Sequence, residues 1–76
     1  MERLTEVEAQ RALTFVSNAN AARKAQGRDG RWTFYWSPKY SWLECRLEPF
    51  RIISARDRET YREMINELKE DALCKI

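Results

Sequence analysis

Apolar positions along the chain change period twice, and each change marks a change of element. Ala9, Ala12, Leu13, Val16 and Ala19 recur at helical spacing, with Phe15 at the edge of their stripe. Thr5-Glu6-Val7-Glu8 opens this stretch as a capping box, in which Thr5 accepts from the Glu8 amide and Glu8 reaches back to Thr5. Gly27 is the expected stop. The face is narrow and alanine-rich, which suits close packing on a sheet.

After the turn signal Asp29-Gly30 the period drops to two. Arg31-Trp32-Thr33-Phe34-Tyr35-Trp36 is rich in the aromatic residues that favour strands. Ser37-Pro38-Lys39-Tyr40 breaks this run as a hairpin loop. A second strand is predicted over Ser41 to Leu47, a turn at Glu48-Pro49, and a short third strand over Phe50-Arg51-Ile52-Ile53. Helical spacing then returns. Tyr61, Met64, Ile65, Leu68 and Ala72 share one face, and Ser54-Ala55-Arg56-Asp57 resembles a second capping box, which places a helix at about residues 55 to 73.

With no repeat and no linker, the expected fold is a single α+β domain over residues 1–76: helix, three-stranded antiparallel meander, helix, with both helices on one sheet face. Strand alternation sends Trp32, Phe34, Trp36, Leu43, Cys45, Leu47, Phe50 and Ile52 to the core side. It leaves Arg31, Thr33, Tyr35, Trp42, Glu44, Arg46, Arg51 and Ile53 on the outer side, with Lys39 and Tyr40 in the adjoining loop. A register shift of one residue would exchange Trp42 and Leu43 between the two sides.

Composition bears on class more than on function. Apolar residues at 43% and charged residues at 34%, with two glycines and two prolines, describe a folded chain rather than a disordered one. No apolar run approaches the ~20 residues of a membrane span, and the first residues lack the pattern of a secretory signal. Cys45 and Cys74 are too few and too far apart for a disulfide framework, although a bridge between them is compatible with the sequence. A cytoplasmic protein without membrane association is the expectation.

The catalytic inventory is thin. There is no histidine, no nucleophile elbow and no glycine-rich phosphate loop, and two distant cysteines make no zinc site. Glu59, Glu63, Glu67 and Glu70 line one outward face of the second helix, which reads as a solvated surface rather than an acid/base site. The expectation is a protein without enzymatic activity, metal or cofactor.

Two binding roles remain. Tyr35, Tyr40, Trp42, Arg46 and Arg51 combine the residue types enriched at protein-binding hot spots. A sheet face or edge built from them suits a protein-binding module or small inhibitor, docking on a partner or on a second copy. A phage or mobile-element protein that blocks a host complex would fit that description. The alternative is nucleic-acid binding, with Arg23, Lys24, Arg28, Arg31 and Lys39 contacting phosphates beside exposed aromatics. The order helix–three strands–helix resembles double-stranded-RNA-binding domains in layout. That likeness implies a basic start to the last helix, where Arg56, Arg58 and Arg62 stand, interleaved with Asp57, Glu59 and Glu63. A net charge of +2 is small for a dedicated nucleic-acid binder, so the sequence favours a protein partner or self-association.

Overall fold

The structure, a computed structural model, describes residues 3–73. Cys74 lies outside the described residues, and with it the question of a Cys45–Cys74 pair. Helix α1 spans Glu6–Ala25, strands β1, β2 and β3 span Arg31–Ser37, Trp42–Glu48 and Arg51–Ala55, and helix α2 spans Arg58–Leu73. The sheet is the expected antiparallel meander in the order β1-β2-β3. Helix α1 packs on β1 and on α2, while α2 packs on β3, so both helices cover one sheet face. None of the described helices is long and apolar enough to cross a membrane.

The capping box of α1 forms as the sequence requires. The Glu8 amide donates to Thr5 Oγ1, and the Thr5 amide donates to Glu8 Oε1 at 2.9 Å. Ala9, Ala12, Val16 and Ala19 are buried, and these small side chains let the helix approach the sheet closely. Leu13, expected in that face, is 46% exposed, because the packed stripe is narrower than the five-residue apolar set. Leu43, Cys45, Met64 and Leu68 fill the centre of the core. Burying each of these leucines contributes about 1.5–3 kcal/mol.

Strand β3 departs from expectation. Leu47 pairs with Arg51, Cys45 with Ile53 and Leu43 with Ala55. Residues directly opposite each other share a face, so Arg51, Ile53 and Ala55 join the helix-covered side. Ile52 therefore turns outward and is 60% exposed, and Phe50 lies in the turn at 61% exposure. Both were expected in the core. Three residues, not two, separate Leu47 from the first paired residue of β3, and that one-residue difference inverts the strand. The adjacent apolar pair Ile52-Ile53 carries no alternation that could decide the matter.

The strand also runs on to Ala55, which delays α2. Asp57, rather than Ser54, caps the helix: its Oδ1 accepts from the Thr60 amide at 2.9 Å, and Thr60 Oγ1 accepts from the Asp57 amide at 3.3 Å. The segment before α1 is tied in as well. Arg3 forms an antiparallel bridge with Asp57, Leu4 is buried, and Ser41 Oγ donates to the Leu4 carbonyl at 2.6 Å.

Candidate functional site

The outer sheet face is built in cross-strand rows. Ser37 stands opposite Trp42, Tyr35 opposite Glu44 and then Ser54, and Thr33 opposite Arg46 and then Ile52. The first two rows, with Tyr40 from the hairpin turn and Arg56 from beyond β3, enclose a shallow hollow. Its walls are Tyr35, Tyr40, Trp42, Ser37 and Arg56. Tyr35 is 58% exposed and Tyr40 67%. Ser41, at φ +52°, takes a left-handed conformation and closes the turn that presents Tyr40.

Trp42 is held rather than loose. The Arg56 guanidinium lies 5.4 Å from its ring centroid, a cation–π contact. Its indole Nε1 donates to Glu44 Oε1 at 3.3 Å, and Arg46 Nε donates to Glu44 Oε2 at 2.6 Å. Hydrogen bonding from Arg46 and from Trp42 holds the Glu44 carboxyl below its ordinary value, against a smaller opposing effect of burial. The same pairing with Glu44 raises the Arg46 pKa. Arg56, Trp42, Glu44 and Arg46 thus form a chain of contacts across the face, with the tyrosines open beside it. Lys39 lies over the Tyr40 ring at 5.3 Å from its centroid.

Of the residues expected to bind a partner, Tyr35, Tyr40, Trp42 and Arg46 come together on this face. Arg51 does not. It sits on the opposite side, where it pairs with Glu67 of α2, Nη2 to Oε1 at 2.8 Å, and this pairing raises its pKa. Arg56, Ser37 and Ile52 belong to the face and were not anticipated there. Arg56 reaches it because β3 continues past Ile53, a length that no local signal specifies.

The basic segment from Arg23 to Arg31 has a different use from the one expected. Arg23 is 8% exposed. Its Nη1 donates to Asp71 Oδ1 at 2.7 Å, and its other nitrogens bond the carbonyls of Asp29 and Gly30. Arg28 donates to Asp71 Oδ1 at 3.0 Å and to the Asp71 carbonyl at 2.7 Å. Trp32 Nε1 donates to Asp71 Oδ2 at 2.9 Å. Two of the five expected phosphate contacts are therefore engaged within the fold. Lys24 and Arg31 are exposed and line one hollow with Arg28, Asn20 and Gly30, whereas Lys39 stands apart in the turn between β1 and β2. Cys45 is fully buried, and burial, with the Glu44 charge adding, pushes its thiol up to about 12.

Comparison with protein-family models, curated proteins and solved structures returns no match.

Proposed function

We propose that this chain is a non-enzymatic protein-binding module that docks through the aromatic hollow of its outer sheet face. The observation that carries this is the pairing of a braced tryptophan with two open tyrosines. Trp42 is fixed by Arg56 and Glu44, so little side-chain entropy is lost when a partner covers it. Tyr35 and Tyr40 are more than half exposed beside it and supply contact area with a polar tip. Tryptophan, tyrosine and arginine clustered around one hollow are the residue types that dominate interface energetics. Arg46 and Ile52, which face each other across β2 and β3, extend the surface along the sheet.

The partner is a protein rather than a small molecule, since two of the five residues lining the hollow, Tyr35 and Tyr40, stand more than half exposed. Inhibition of a host complex by a phage or mobile-element protein is one setting for such a module. Self-association through the same face is the second protein-level alternative, and sedimentation of the purified chain distinguishes it.

The test is capture from nuclease-treated lysate on immobilised protein, comparing the native chain with a Tyr35→Ala/Tyr40→Ala variant. Both side chains are exposed, so the variant is expected to keep its melting temperature within a few degrees. A discrete protein held by the native chain and released by the variant, with affinity reduced tenfold or more, is the expected result. Equal retention by both would remove this face from consideration.

A further inference from the structure

Helix α2 separates its charges by sector. Arg58, Arg62 and Lys69 fall within about 40° of one another around the helix axis, and Glu59, Glu63, Glu67 and Glu70 begin about 60° further round. The acidic sector lies beside β3, where Glu63 and Glu67 border the groove along Ser54 and Arg51. The basic sector faces α1. There, Arg58, Arg62 and Lys69 meet Arg11 of α1 around a groove floored by Phe15, Tyr61 and Ile65. A net charge of +2 conceals this arrangement, because the acidic residues that balance the sum lie elsewhere on the surface.

Among the described residues, four cations and one carboxylate line this groove, and the carboxylate is already in use. Glu8 serves the Thr5 cap through Oε1 and stands 3.9 Å from Arg58 Nε through Oε2. Among the described residues, neither Arg11 nor Arg62 has an ion-pair partner. Lys69 rests over the Phe15 ring at 5.2 Å from its centroid. The Tyr61 hydroxyl donates to the Glu8 carbonyl at 2.8 Å and so fixes the floor between the helices.

We infer that this interhelical groove binds the phosphate backbone of duplex nucleic acid. The cations form a line rather than a cup. From Arg58 to Lys69 the helix rises about 16.5 Å, enough to follow a run of phosphates on one strand and too long for a single phosphate group. The rigid spacing suits a rigid polyanion. The floor offers no stacking platform for unpaired bases, since the Phe15 face is covered by Lys69 and the Tyr61 hydroxyl is tied to the backbone. A duplex, whose phosphates are already ordered, is the matching ligand. The groove is formed by the helices, on the side of the sheet away from the aromatic hollow, so this site is separate from the one proposed above.

The experiment is fluorescence anisotropy of the purified chain with a labelled random-sequence duplex and with one of its single strands, from about 50 to 200 mM salt. Three to four phosphate contacts predict a log–log salt slope of roughly −2.7 to −3.6, or a loss of about 40- to 150-fold in affinity across that range. An Arg11→Gln/Arg62→Gln/Lys69→Gln variant should lose more than tenfold in affinity at the lowest salt and most of the slope. A Lys24→Gln/Arg31→Gln variant should stay within about twofold. All five side chains are solvent-facing, and thermal melting checks each variant's fold; the native chain's salt slope tests the inference independently of any variant. Absence of duplex binding at 50 mM salt overturns it. So does unchanged affinity in the triple variant, loss in the Lys24/Arg31 variant, or tighter binding of the single strand. Binding of phosphatidylserine vesicles without binding of the duplex overturns it as well.

Discussion

Asp71 gathers donors from three parts of the chain onto one carboxylate: Arg23 of α1, Arg28 of the following loop and Trp32 of β1. Burial by itself would raise its pKa, but the Trp32 and Arg23 hydrogen bonds and the charges of Arg23 and Arg28 together outweigh that and lower it. A carboxyl with a lower pKa in the folded state than in the unfolded state stabilises the fold when ionised. That contribution is complete above the unfolded value, near 3.8, and is lost as the pH falls through the depressed folded value. Asp71→Asn keeps the shape but removes the charge, leaving two part-buried guanidinium groups without their counter-ion. A cost of about 2–3 kcal/mol is expected at neutral pH, read as a fall in melting temperature of roughly 10–20 °C. The variant should also lose less stability than the native chain between about pH 5 and pH 2. Equal melting temperatures at pH 7 would show that the cluster contributes nothing net.

At the level of elements, the sequence was most legible where the determining contacts are local. The capping box at Thr5 and the alternation of β1 and β2 each depend on residues a few positions apart, and both form as expected, while the Asp29-Gly30 signal becomes a bend at Asp29 followed by Gly30 at positive φ. Asn20 was not legible as a structural residue, yet its amide accepts from the Trp32 N–H at 2.7 Å and donates to the Trp32 carbonyl at 2.9 Å, standing in for a neighbouring strand at the β1 edge. The two glycines divide in a testable way. Gly27 has φ +67° with open space around it, so Gly27→Ala costs only the backbone strain of about 1 kcal/mol. Gly30 has φ +93°, and a methyl group there would meet Phe50 at 3.0 Å, Leu47 at 3.1 Å and the Glu48 carbonyl at 3.3 Å. Gly30→Ala is therefore expected to lose about 2–3 kcal/mol or more, and denaturant titration of the two variants should rank them in that order. The reverse ranking would contradict the close approach of Phe50 to this turn.

Across the whole molecule, the sheet's outer face and the interhelical groove lie on opposite sides of the core. They share no side chain: Tyr35, Ser37, Tyr40, Trp42 and Arg56 line one, and residues of α1 and α2 line the other. Distant sites without shared partners behave additively. The Tyr35→Ala/Tyr40→Ala variant should accordingly retain duplex affinity within about twofold, and the Arg11/Arg62/Lys69 variant should retain any protein partner captured by the native chain. Loss of both activities in either variant, with the fold intact, would mean that a single surface serves both.

The sequence by itself determined the order of elements, the helix-covered face of β1 and β2, and the grouping of Tyr35, Tyr40 and Trp42, since period-two alternation and turn chemistry act over a few residues. Tertiary structure alone decided the rest. The face of β3 followed from the length of one turn, which moved Arg51 onto Glu67 and turned Ile52 outward. Arg23 and Arg28 were drawn inward by a carboxylate more than forty residues away in sequence. Arg11 became part of a cationic groove only when α1 packed against α2. Such pairings depend on how elements meet across the core, and no periodicity within one element encodes them.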